Sequence, residues 1–204
     1  MGHERLTREQ SNEQTCERML EAAHEIFLKK GYAAASIQEI AETAGYSRGA
    51  FYANFRDRSE LLIELLRRDH DRRSRAYQSM TNANDVSKQL TAMVYAYHFN
   101  ASQAKPMQPL WVEAKLLAIR DVDFRVHYNA LLRAEWERLT SLLSRLANEA
   151  AISLSVPAEM IALGLISLCD GLYPYAMLNP TLTRSGIIES ILRFAMESVA
   201  PGGT

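Results

Sequence analysis

Arg48 is the side chain in this sequence best placed to read another molecule. It stands in the first turn of a short helical stretch, and an arginine presented there can make two parallel hydrogen bonds to O6 and N7 of guanine. The alternative is a surface arginine that touches only phosphate. Gly49, Ala50 and Ala53 beside it are small, which lets the helix backbone come close to a ligand. Glycine inside a helix costs about 1 kcal/mol relative to alanine, so Gly49 points to a reason other than folding. Other chemistries lack their residues. The sequence has no Gly-rich phosphate loop, no Gly-x-Ser-x-Gly and no Cys-x-x-Cys. His3, His24, His70, His98 and His127 show no paired spacing for a metal on one helix. No metal site, catalytic constellation or cofactor is expected, and the chain does not read as an enzyme.

The elements that must position Arg48 are legible on either side of it. Ser36 followed by Glu39 reads as a capping box, the hydroxyl taking an orphan N–H and the carboxylate reaching back. Ile37, Ile40, Ala41 and Ala44 recur at helical spacing, and Gly45 supplies a left-handed stop. Ser47 caps a second short helix, in which Phe51 and Phe55 share one face while Arg48 and Tyr52 share a neighbouring one. Helix, glycine turn, helix, with a basic residue at the start of the second, is a helix-turn-helix pattern. In so small a unit Phe27, Ile40, Phe51 and Phe55 are all needed for the core.

The stretch closely resembles the DNA-binding domain of TetR-family transcriptional regulators. Its flanks agree, with Arg18, Leu20, Ala22, Ala23, Phe27, Gly31 and Tyr32 upstream and the run from Phe55 through Asp57, Arg58 and Glu60 to Leu62 downstream. The resemblance covers the first third of the chain and becomes general beyond it, where Asp170-Gly171-Leu172 is the main echo. It implies phosphate or base contacts from Tyr52 and Asn54, backbone and base contacts from Ser36 and Gln38, and a phosphate contact from Arg58, with Ser47, Arg48 and Gly49 at the start of the recognition helix. Tyr46 stands where the family often has a smaller aliphatic residue. The family further implies an effector pocket between body helices and a dimer interface built from the last two helices.

Composition allows this without arguing for it. The 204 residues are 48% hydrophobic and 23% charged, with a net charge of −1. Residues 1–60 carry 8 Lys and Arg against 10 Asp and Glu, so any surface facing DNA must arise by local segregation of charge. Glu13, Glu17, Glu21 and Glu25, four apart on one helix, read as a solvated face turned from phosphate. The N-terminus lacks the apolar core of a signal peptide, and the apolar run Met160 to Cys169 is short for a spanning helix. Cys16 and Cys169 read as free thiols in a reducing compartment, so a cytoplasmic protein with no membrane partner is expected.

No alternating strand pattern is present, and the fold class is all-α with about nine helices. The expected division is a three-helix DNA-binding head over residues 1–58 and a helical ligand-binding and dimerisation body over 59–204. A first helix is expected to open between Ser11 and Thr15, a connecting helix to span about 59–80, and another to run from Val86 to Gln103. Pro106 and Pro109 precede a helix through Trp111 to Ile119, and a long amphipathic stretch runs from Asp121 to Ala150. Pro157 opens a nearly continuous apolar segment, Pro174 and Pro180 disturb it, and a last helix runs from Ser185 to Val199. The arginines from Arg67 to Arg75 read as a solvated or inter-domain face, and Asp69-His70-Asp71 as a solvated cluster.

Within the body the candidate ligand-binding residues are His98, Phe99, Met107, Trp111, His127, Tyr128, Tyr173 and Met177. They are bulky or adaptable side chains of the kind that line apolar pockets, and also of the kind that fill cores. Ile161, Leu165, Leu168 and Leu172, with Ile188 and Leu192, are the candidate dimer contacts. The reading is a ligand-responsive regulator, a repressor, whose homodimer leaves a palindromic double-stranded operator when a small, mostly apolar molecule binds. The alternative is a helical small-molecule carrier or sequestering protein without a specific operator.

Overall fold

A computed structural model describes residues 7–79, 106–149, 151, 153–179, 181, 186, 187, 190, 191 and 193–195. The expected helix from Val86 to Gln103 and most of the last one, with His98, Phe99, Ile188 and Leu192, lie outside them. The fold is all-α. Seven helices are bounded among the described residues, with no strand: α1 Arg8–Lys30, α2 Ile37–Thr43, α3 Arg48–Tyr52, α4 Arg58–Ser79, α5 Gln108–Arg120, α6 Val122–Glu149 and α7 Ala158–Leu178.

The chain forms two compact units, Met1–Asp69 with Met107–Asn129, and His70–Pro106 with Ala130–Thr204. The first unit therefore takes in α5 and the start of α6, which the sequence places in the body. In it α1 packs on α2 and on α5, and α2 packs on α3. Met19, Ala23, Phe27, Ile40, Phe51, Leu61, Leu62 and Leu66 are sealed from solvent, as are Leu110 and Ala114 of α5. Burying a phenylalanine or leucine contributes roughly 1.5–3 kcal/mol, so this cluster dominates the stability of the unit.

The caps explain where the helices begin and end. α1 opens earlier than the serine and threonine signals suggest, because Thr7 and Gln10 form a complete capping box: Gln10 N–H donates to Thr7 Oγ1 and Thr7 N–H to Gln10 Oε1. Ser36 accepts from Glu39 N–H at 3.1 Å, but the Glu39 carboxylate does not reach back; it pairs with Lys30. The box expected at Ser36 is thus half formed, since a lysine ammonium outcompetes a backbone N–H for the carboxylate. Gly45, at φ 80°, closes α2 with the double hydrogen bond of a Schellman turn, Tyr46 N–H to Ala41 O and Gly45 N–H to Glu42 O. Asp57 Oδ1 accepts from Glu60 N–H and caps α4.

In the second unit Leu139, Leu143 and Leu146 of α6 interlock with Ala158, Ile161, Ala162 and Leu165 of α7. Trp136 Nε1–H donates to Glu159 O at 2.8 Å and ties the same two helices. Pro157 is the N-cap of α7, and Pro174 lies inside the helix, which continues to Leu178. α7 is, by length and composition, apolar enough to cross a membrane, contrary to the sequence expectation. The run Met160 to Cys169 stops at Asp170, but the helix continues through the largely apolar stretch from Gly171 to Leu178, and one aspartate lowers its mean hydropathy little.

Candidate nucleic-acid interface

α2 and α3 bury one side and expose the other. Ile40, Ala41, Ala44 and Phe51 face the core of the first unit, whereas Ser36, Gln38, Glu42, Ser47, Arg48, Gly49, Tyr52 and Ala53 are exposed. The glycine turn therefore brings most of the expected contact residues onto solvent-facing positions of two consecutive helices. Ser47 Oγ accepts from Ala50 N–H at 3.2 Å, fixing the first turn of α3 and with it Arg48.

Arg48 Nη2 donates to the Tyr52 hydroxyl at 3.2 Å, and its guanidinium lies 5.6 Å from the Tyr52 ring centroid. The Tyr52 ring in turn meets Phe51 edge-on at 5.6 Å, so a buried phenylalanine steadies an exposed tyrosine that steadies an exposed arginine. Gln38 Nε2 donates to Glu42 one turn along α2. A methyl group on Gly49 would meet only Ser47 Oγ, at 3.6 Å, an ordinary contact. Nothing in the protein's own packing demands a glycine there.

Two expected contact residues are turned to internal use. Asn54 Nδ2 donates to Ala50 O at 2.9 Å and closes the C-terminus of α3. Arg58 is half-buried: it donates to the carbonyls of Tyr32 and Ala35, and its guanidinium lies 5.0 Å from the Tyr32 ring centroid. Beside them an open cleft of about 970 Å³ is lined by Asp57, Glu60, Glu64, Asp121 and Asp123 with Arg56 and His127. Its excess of carboxylates repels phosphate, so that cleft is unsuited to nucleic acid.

The sequence pattern described as "Bacterial regulatory proteins, tetR family" matches residues 19–65, the span from the middle of α1 into α4. Over that segment the chain is similar to tetR-family regulators. It is 40% identical over 78 residues to the HTH-type transcriptional regulator TtgR of Pseudomonas putida, a match covering 37% of each chain. It is 24% identical over 161 residues to the HTH-type transcriptional repressor AcnR of Corynebacterium efficiens, covering 75% of this chain and 77% of that one. Among solved structures, GusR of Salmonella enterica shares the fold over 97% of this chain and 100% of its own, with a TM-score of 0.79 at 17% identity. The chain thus matches little more than a third of TtgR's own length. The tetR pattern is matched over residues 19–65, while the likeness to GusR over nearly the whole chain is one of fold.

Outside the tetR segment, the ligand candidates fall in different places. In the first unit Met107 and Tyr128 are buried and Trp111 is half-buried, with its ring centroid 6.1 Å from that of Tyr128. Trp111 Nε1–H donates to Asp69 Oδ2 at 2.8 Å, and Phe124 stacks on Tyr128. His127 is exposed on the acidic cleft. Tyr173, half-buried, and Met177, exposed, belong to the second unit. Among the dimer candidates, Ile161 and Leu165 are buried against α6 within the subunit, and Leu168 and Leu172 are half-buried. The apolar side chains that α7 exposes are instead Met160, Leu163, Tyr175, Met177 and Leu178.

Asp69 and His70 are buried, not solvated as the sequence suggested. His70 Nδ1 lies 3.0 Å from Glu135 Oε2, which also takes Arg138 Nη2 at 2.6 Å. The signal was present: Leu61, Leu65 and Asp69, like Leu62, Leu66 and His70, are four apart and share one buried stripe of α4. The arginines beyond are partly paired, Arg67 with Glu64 and Arg68 with Glu64 and Glu17. Both thiols are free, and burial pushes both above the ordinary thiol range.

Proposed function

We propose that this chain is a homodimeric, ligand-responsive transcriptional regulator, and a repressor, that binds a palindromic double-stranded operator through α2 and α3. The observation that carries the reading is the pair Arg48 and Tyr52, exposed and mutually braced beside an exposed Gly49 that the fold itself does not require. A braced arginine loses less freedom on forming two hydrogen bonds to guanine, and a glycine permits the backbone to approach the groove. AcnR is a repressor by name, which favours repression over activation.

In this reading residues 1–58 form the DNA-binding head and residues 59–204 the body, with α4 connecting them. A second copy, not lipid, covers the exposed side of α7. Met160, Leu163 and Tyr175 stand there with Gly164 and Gly171, whose missing side chains would admit a facing helix, while Asp170 on the exposed side disfavours hydrocarbon. A small, largely apolar effector binds in the body and lowers operator affinity by favouring a different arrangement of the two heads. Tyr173, Met177, His98 and Phe99 remain its proposed contacts, while Met107, Trp111 and Tyr128 serve the packing around α5.

The test is selection from a random double-stranded DNA library, followed by titration of the enriched duplex and a scrambled one. A palindromic consensus bound by a dimer supports the reading. Equal affinity for both duplexes would instead favour the carrier alternative.

A further inference from the structure

The turn that joins α1 to α2 is gripped from two sides by residues outside it. On its N–H side, Tyr32 N–H donates to Glu113 Oε2 at 2.5 Å, from α5 and 81 residues away in sequence. The other carboxylate oxygen lies so close to Gly31 that a methyl group there would meet it at 3.2 Å. On its carbonyl side, Arg58 donates to Tyr32 O and Ala35 O and covers the Tyr32 ring, whose hydroxyl is 2.8 Å from Ser59 Oγ. Ser36, the N-cap of α2, follows immediately. The turn thus sets the direction in which α2 leaves, and α3 packs on α2.

The placement of Glu113 is unfavourable by local rules. A helix C-terminus carries partial negative charge and favours cations, which Lys29 and Lys30 supply in the last turn of α1. A carboxylate at the same end is repelled by that dipole. Its compensation is the hydrogen bond to Tyr32 N–H, a donor that the closing turn of α1 does not use itself. The group held against the local field comes from a helix beyond the matched segment 19–65.

We infer that Glu113 is a positioning residue for DNA binding: its carboxylate, with Arg58 opposite, holds the 31–35 turn so that α2 and α3 present one reading face. The inference rests on the proposed binding of DNA through that face. It assigns to α5 a part in operator affinity although α5 touches no DNA in this arrangement.

The test uses full-length protein and the duplex that the wild-type chain enriches from a random double-stranded library. Glu113→Ala should lower affinity for that duplex by about 10- to 100-fold, the span of a lost hydrogen bond to a charged group. Glu113→Gln, which keeps an accepting oxygen, should retain most of it. Amide exchange at Tyr32 should quicken in the alanine variant while exchange at Phe27 and Phe51 stays slow, a local loosening that general destabilisation would not give. Should Glu113→Ala lose its fold, Glu113→Asp, one methylene too short to reach Tyr32 N–H, takes its place with the same expected loss. Wild-type affinity in a folded alanine or aspartate variant overturns the inference and leaves the DNA reading standing. If wild-type protein enriches no sequence at all, the DNA reading fails and this assignment falls with it.

Discussion

Arg58 Nη1 donates to the carbonyl of Tyr32 at 2.9 Å while the same guanidinium covers the Tyr32 ring. A residue whose position in the family implies a phosphate contact is here a clasp on its own backbone. Removing it leaves two carbonyls and a ring face without their cation, so Arg58→Ala should lower unfolding free energy by about 2–3 kcal/mol. Arg58→Lys should recover only part, because an ammonium cannot reproduce the planar fork. Chemical denaturation of the three proteins checks both. An Arg58→Ala protein as stable as wild type would return the residue to the phosphate.

Gly49 offers the opposite sign. Alanine there adds only an ordinary contact with Ser47 Oγ and favours the helix, so Gly49→Ala should raise stability by up to about 1 kcal/mol. The same methyl should weaken binding to the enriched duplex if the backbone approaches the groove there. Thermal unfolding and a binding titration on one preparation separate the two effects, and unchanged affinity would remove Gly49 from the interface.

Arg48→Ala should reduce discrimination between the enriched duplex and a single guanine substitution by about 1–3 kcal/mol. Tyr52→Phe keeps the ring under the guanidinium but removes the hydroxyl that orients it, so a smaller loss of the same discrimination is expected. If Arg48→Ala weakens every duplex equally, the arginine contacts phosphate alone.

Acid should loosen the start of α4. Burial by itself would raise both Asp57 and Glu64, but the Glu60 N–H and the Arg56 guanidinium hold Asp57 below its ordinary 3.8, and Arg67 and Arg68 hold Glu64 below its ordinary 4.5. A carboxyl depressed in the folded state contributes stability that is complete above its unfolded value and is lost as pH falls through the folded one. Unfolding free energy should therefore hold steady above these ordinary values and decline below them. Glu64→Gln should flatten that decline, as pH-dependent denaturation would show.

The side chains of α7 divide into two classes that a single charge can tell apart. Leu163→Glu, on the exposed side, should leave the subunit folded and turn a dimer into a monomer. Leu165→Glu, against Leu139 and Leu143, should unfold the second unit. Sedimentation with circular dichroism decides. A dimeric Leu163→Glu protein would place the interface elsewhere.

What the sequence by itself determined were the features that depend on near neighbours. Ser36 and Ser47 at helix starts, Gly31 and Gly45 at positive φ, and the spacing that buries Phe27, Ile40, Phe51 and Phe55 are local, since caps, left-handed turns and helical period act within a few residues. The exposure of Arg48 and Tyr52 follows from the same periodicity. Tertiary structure decided what polar groups do. Lys30 took the carboxylate of Glu39 from its box, Trp111 gave buried Asp69 a donor, and Glu135 lies beside buried His70. Arg58 turned inward to Tyr32. It also decided that α5 belongs with the helix-turn-helix unit and that Ile161 and Leu165 face inward, leaving Met160 and Leu163 outside. The physical reason is range. A hydrophobic stripe needs only some buried surface to meet, whereas a hydrogen bond or ion pair needs one particular partner, and for Tyr32 that partner lies 81 residues along the chain.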